Sequence, residues 1–187
     1  LKKESILKQN PEFLALPKSL QKKTLSIRSN VFFLKQKSHE IVEIVQQASE
    51  IPDEGYRFFI TNETHLGITV IRSKSFNIGY LLGKLSYLDL AHMDIYKLFD
   101  EKKYFQIDFN EKASTSDIDI IKELIHNSFD MSKKATLKVP VLLQGEIDLD
   151  CDHSKSYALM HINTKNQKGL MAYVMSIFDE HGIDIAM

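Results

Sequence analysis

One shift along the chain carries Tyr80 onto Tyr173, Leu81 onto Val174, Leu82 onto Met175, Leu85 onto Phe178 and Leu90 onto Ile183. Apolar positions that match at a fixed offset mean that one small structural unit occurs twice. The second copy reads as a strand at Tyr157–Asn163, a polar loop from Thr164 to Gly169, and a helix striped by Leu170, Val174, Ile177 and Phe178. His181-Gly182 then supplies a glycine to end the helix, and Ile183-Asp184-Ile185 opens a further strand.

The first copy is longer. Gly67–Arg72 is β-branched and reads as a strand, with Tyr56–Thr61 as a possible strand before it. Ile78, Leu81, Leu82, Leu85 and Leu88 recur at helical spacing. Ala91–Phe99 and Tyr104–Phe109 read as a hairpin about an Asp100–Lys103 turn. Phe105, Ile107 and Phe109 alternate with Tyr104, Gln106 and Asp108, the pattern of a sheet with one dry face. A helix capped by Ser114 or Ser116 follows through Ile118, Ile121, Leu124, Ile125 and Phe129, and Val139–Leu143 supplies a closing strand. The fold class expected is therefore α+β, with ferredoxin-like βαββαβ units in tandem, the second cut short, after a helical arm. Domain boundaries fall at 1–52 for the arm, 53–145 for the first unit and 146–187 for the second.

The arm is Lys-rich and broken at Pro11 and Pro17, and Ser38 reads as the cap of a helix buried through Ile41, Ile44, Val45 and Ala48. We read its lysines as a solvated helix face, because only Phe32-Phe33 stands among them as an aromatic platform. A net charge of −1 gives no pull toward nucleic acid or an anionic membrane, and no apolar run reaches the length of a span. The lone Cys151 excludes an internal disulfide framework and suits a reducing compartment, so a cytoplasmic location is expected. Met187 falls inside the renewed pattern, so we expect the chain to be a piece of a longer polypeptide.

Several features imitate catalytic motifs. Asp148-Leu149-Asp150 has the spacing of a nucleotidyltransferase Asp-x-Asp, but Gln144-Gly145-Glu146 offers no triphosphate cradle, so we read a solvated strand edge. The seven histidines are scattered with no metal-ligand spacing, and Cys151 has no fixed spacing to a histidine that would suggest a nucleophile. Lys103–Phe109 lacks the glycine of an RNA-recognition strand, and its phenylalanines read as core. No catalytic residue and no metal site are assigned.

The loop Asn166-Gln167-Lys168-Gly169-Leu170-Met171, between a strand at Leu159–Asn163 and Gly182-Ile183-Asp184-Ile185, resembles the first half of an ACT domain. With the acidic Glu146–Asp150 stretch, it looks most like the second ACT unit of bacterial PII uridylyltransferase/uridylyl-removing enzymes. Ser29–Lys35 and the helix after Ser38 are similar to the stretch that leads into their ACT pair. The resemblance implies an effector-binding region that senses an amino acid, glutamine in that family, and biases catalytic domains upstream. It implies contacts from Asn166, Gln167, Lys168, Gly169 and Leu170, with Asn77, Ile78 and Gly79 as a partner loop. It implies no cofactor for this region, since Mg and UTP would belong to the catalytic domains, and a PII-type signal protein as the target of the whole enzyme. Homodimerisation through sheet edges is a further expectation, as is the absence of nucleic-acid and membrane partners. Asn166-Gln167 stand where the family usually has Asp-Arg, and Lys168 where it often has Pro, which bears on the effector. Two alternatives stand beside this reading: an ACT-like dimerisation module without a ligand, and an ACT pair of another amino-acid-regulated enzyme.

Overall fold

The computed structural model describes residue 5, residues 7–73 and residues 75–185. The N-terminal part contains the helices α1 (Pro11–Ala15), α2 (Lys18–Ser26), α3 (Asn30–Lys35) and α4 (Ser38–Glu50). Pro11 sits just inside α1, where its missing N–H costs nothing, and Asn10 caps that helix through Phe13 N. The cap of α4 is Lys37, one residue earlier than Ser38. Its backbone N–H donates to Glu40 Oε2 at 2.7 Å, which draws the helix start back by one.

Strands β1 (Tyr56–Thr61) and β2 (Gly67–Arg72) precede helix α5 (Ile78–Lys84), and β3 (Leu90–Lys97) and β4 (Lys103–Phe109) precede helix α6 (Thr115–Asn127). The four strands form one antiparallel sheet in the order β1-β2-β4-β3. The molecule is thus an α+β protein built on a four-stranded antiparallel sheet. Strands β5 (Ile147–Asp150) and β6 (Leu159–Ile162) make a separate antiparallel hairpin, and helix α7 (Leu170–Glu180) follows it. Among the described residues, no helix is long and apolar enough to cross a membrane.

Three expectations are corrected. Val139–Leu143 is not a strand; the edge beside β2 is already taken by β1, paired from Tyr56 with Arg72 to Thr61 with Gly67. The backbone of Val141 is held instead by the Gln167 amide, whose Nε2 donates to Val141 O at 2.7 Å while its Oε1 accepts from Val141 N at 2.9 Å. Ile183–Ile185 is irregular rather than the opening of a strand. Asp184 there pairs with both Lys97 and Lys103, cross-strand neighbours whose like charges would otherwise repel.

The third correction concerns the sheet's second face. Ile68, Val70, Ile95, Phe105 and Ile107 face α5, α6 and α7, as the alternation requires. Tyr104, Ile71 and Tyr96, on the opposite face, are buried as well, in a cluster with Phe13, Phe32, Val45 and Ala48 from the N-terminal helices. The sheet is dry on both sides because helices α1–α4 cover it. Phe32 and Tyr96 meet edge to face at 5.4 Å.

Two ends show how local chemistry sets the elements. Gly182 adopts φ 63°, and the N–H groups of Gly182 and Ile183 return to the carbonyls of Asp179 and Phe178, which closes α7 in a Schellman turn. The β3–β4 turn carries Asp100 at φ 52° and Glu101 at φ 58°, with Lys102 N donating to Phe99 O at 3.1 Å. Two side-chain-bearing residues in the left-handed region are strained. Glu101→Gly should therefore raise stability by about 0.5–1 kcal/mol in chemical denaturation. A loss of stability would show that Glu101 is held by interactions that outweigh its backbone strain.

Candidate functional site

The loop read as ligand-binding in the second copy forms one wall of a cavity. Asn166, Gln167, Lys168, Gly169 and Leu170 all line a space of about 330 Å³. The other wall comes from Ser86, Asp89, His92 and Met93 of the α5–β3 connection and its neighbours. A volume of this order suits a small metabolite. Leu82, Leu85, Leu88 and Phe109 make its floor apolar, and the charged groups stand at the rim.

Gly169 earns its place through the backbone. It takes φ 82° immediately before α7, a conformation that strains any residue with a Cβ, and it gives the helix no side-chain cap. Lys168 puts an ammonium beside that helix start, and together they favour a carboxylate. Asp89 is fixed opposite: its carboxylate accepts from Asn110 Nδ2 at 2.7 Å and from Asn166 Nδ2 at 3.5 Å. A carboxylate here gives the rim an acceptor for an ammonium group. The walls can therefore address both ends of an amino acid.

The partner loop of the first copy is placed differently. Asn77 caps α5, with Oδ1 accepting from Tyr80 N at 3.1 Å and Nδ2 donating to the carbonyls of Asp130 and Lys133. Gly79 lies within α5, where a Cβ would come within 2.8 Å of the Ser176 backbone on α7. Ile78 lines a second cavity of about 480 Å³, with Ser73, Ser75, Asp179 and Ile183 among its neighbours. The structure does not bring Asn77, Ile78 and Gly79 to the cavity of Asn166–Leu170.

Sequence reasoning missed the first-copy wall and what stands behind it. His92 Nε2 meets Asp94 Oδ2 at 2.6 Å, and Asp94 Oδ1 accepts from Lys35 Nζ at 2.8 Å. A chain of polar contacts thus runs from the cavity rim to α3. The available signal was the alternation of His92 and Asp94 along a strand. Burial would raise the Asp94 carboxyl, but the Lys35 and His92 bonds overcome it and hold its pKa below the usual range. A depressed carboxylate stabilises the fold fully above its unfolded pKa, about 3.9, and loses that contribution as pH falls through the folded value. In Asp94→Asn, the loss of stability below about pH 4 should be shallower than in the wild type by urea unfolding. An unchanged acid limb would mean that Asp94 adds nothing to it.

Asp148 and Asp150 lie on the exposed β5 hairpin strand, and Cys151 is exposed just after it. Among the described residues, no group of three or more His, Cys, Asp or Glu is placed to hold a metal ion. No family model matches this chain, no curated protein matches it, and no solved structure matches it.

Proposed function

We propose that this chain is an amino-acid-sensing regulatory region, with tandem ACT-like units, of a PII uridylyltransferase-like protein. The observation that carries the reading is the cavity in which the Asn166–Leu170 loop of one copy faces the Ser86–Met93 segment of the other. A ligand held between two copies of a unit changes how they sit together, and that is the means by which it biases other domains. Glutamine, the effector implied by the resemblance, binds one arrangement of the pair better and shifts the population toward it. Uridylylation and deuridylylation of a PII-type signal protein belong to catalytic domains elsewhere in the polypeptide, where UTP and Mg act. This region performs no turnover itself, and its setting is cytoplasmic.

Calorimetric titration with the common amino acids tests this reading. L-glutamine should bind, and Lys168→Glu should weaken it about tenfold or more, the order of one charge-assisted hydrogen bond. Silence toward every amino acid would overturn the sensing role. It would favour a dimerisation module, a reading supported by the engagement of Gln167 with Val141. A response to a different amino acid alone would point to the ACT pair of another regulated enzyme.

A further inference from the structure

Strand β5 presents an open edge. Asn163 N donates to Glu146 O at 2.8 Å, and the register runs from Ile147 with Ile162 to Asp150 with Leu159. Bonded and non-bonded pairs alternate along an antiparallel ladder. Asp148 and Asp150 therefore turn their backbone groups to β6, while Ile147 and Leu149 turn theirs outward. No hydrogen bond from outside the hairpin reaches that edge among the described residues. The side chains of Ile147 and Leu149 share a face with Met160 and Ile162, which pack on the core, yet both remain exposed. An apolar, unpaired edge of this kind is a template for one more strand.

The chain carries a segment that fits it. Val139, Val141 and Leu143 are exposed, and the Gln167 carboxamide holds both backbone groups of Val141, as a neighbouring strand would. With Gln144–Glu146 as a three-residue loop, Val141 comes opposite Leu149 and Leu143 opposite Ile147. All four aliphatic side chains then fall on the face that already carries Met160 and Ile162. Pro140, which has no N–H to give, falls where the backbone points away from β5, a position an edge strand tolerates. The present turn, closed by Glu146 N on Leu143 O at 3.1 Å, would set Pro140 against Leu149 instead, and the segment is off the edge.

We propose that Val139–Leu143 is a strap with two alternative seats, the Gln167 amide and the outer edge of β5. Gln167 lines the cavity of about 330 Å³, so a ligand there that takes its amide frees Val141 for the second seat. The carboxamide of glutamine offers Gln167 the same donor and acceptor as Val141 does. This coupling rests on the amino-acid-binding reading; the two seats do not. The β5–β6 hairpin gains a third strand, and occupancy of the cavity is read out as a rearranged surface beside it.

Amide hydrogen exchange, followed residue by residue in the whole chain, tests both parts. In the wild type without ligand, the Ile147 and Leu149 amides should exchange as unprotected groups. Gln167→Ala removes the first seat, and both amides should then slow about tenfold or more. Leu149→Pro in that background removes a bond of the second seat and should return Ile147 to its wild-type rate. His161, which bonds to Asp148 within the hairpin, should stay protected. Saturating L-glutamine should slow Ile147 and Leu149 in the wild type as Gln167→Ala does. The proposal is overturned if these amides exchange alike in wild type and Gln167→Ala, or if Ile147 stays slow in the double variant. Slowing confined to concentrations at which the chain dimerises also overturns it, by placing the strap on a second copy. So does glutamine that binds in calorimetry without slowing them. If glutamine does not bind, the sensing role fails, and Gln167→Ala alone decides between one seat and two.

Discussion

Phe32→Ala is expected to destabilise the protein by about 3–5 kcal/mol, lowering its Tm by roughly 6–20 °C. Phe32 is fully buried, in a cluster where Phe13, Val45 and Ala48 of the N-terminal helices meet Ile71, Tyr96 and Tyr104 of the sheet. Its ring touches Tyr96 edge to face, so truncation opens a void that sheet residues cannot close without leaving their register. The N-terminal helices and the sheet share one core and should unfold in one transition. Val31→Ala, one position away on the exposed side of α3, should change stability by no more than about 0.5 kcal/mol. Equal effects from the two substitutions would mean that helices α1–α4 do not pack on the sheet. So would a main transition that Phe32→Ala leaves in place.

Gly79→Val should cost about 3 kcal/mol, through the junction of α5 with α7 rather than through the sheet. A Cβ at Gly79 would lie 2.8 Å from both the Cα and the N of Ser176, and backbone cannot step aside as a flexible side chain can. The helices must separate, and the Ala172, Val174 and Met175 face of α7 loses its close packing. Ser176→Gly should fail to rescue it, since the clash is with main chain and not with the serine side chain. Rescue by Ser176→Gly in urea unfolding would place the obstruction in the side chain and contradict the close approach of the helices.

The periodic elements were legible because their signals are local. Phe105, Ile107 and Phe109 declare a strand with an apolar face, and Gly182 declares the end of α7. The Gly169 turn likewise follows from one residue whose backbone freedom the loop requires. What could not be read was competition between segments. Val139–Leu143 is as apolar as a core strand, yet Val139, Val141 and Leu143 are all exposed, and β1 holds the edge beside β2. Local patterning reports a preference for extended backbone; which segment wins an edge depends on partners far along the chain. The second dry face was hidden for a related reason. Tyr104 and Tyr96 carry polar tips and alternate with the phenylalanine face, so they read as solvent-facing until a helical layer covers them.

The candidate site divides along the same line. Its loop, Asn166–Leu170, could be named from consecutive residues. Its opposite wall could not, because Ser86, Asp89 and His92 carry no motif of their own and come to the cavity through the packing of α5 on α7. The tie of Lys35 to Asp94 became visible only as a contact, since nothing local joins α3 to β3. The left-handed Asp100-Glu101 turn had no glycine to announce it.

The close approach of α5 to α7 is the foundation for the cavity and the proposed sensing role. Nuclear Overhauser contacts in solution address it directly. A strong contact between the α-protons of Gly79 and Ser176 should appear, together with cross-strand contacts of Ile147 with Ile162 and of Tyr56 with Arg72. A spectrum in which both hairpins are present but Gly79 and Ser176 show no contact would contradict the account.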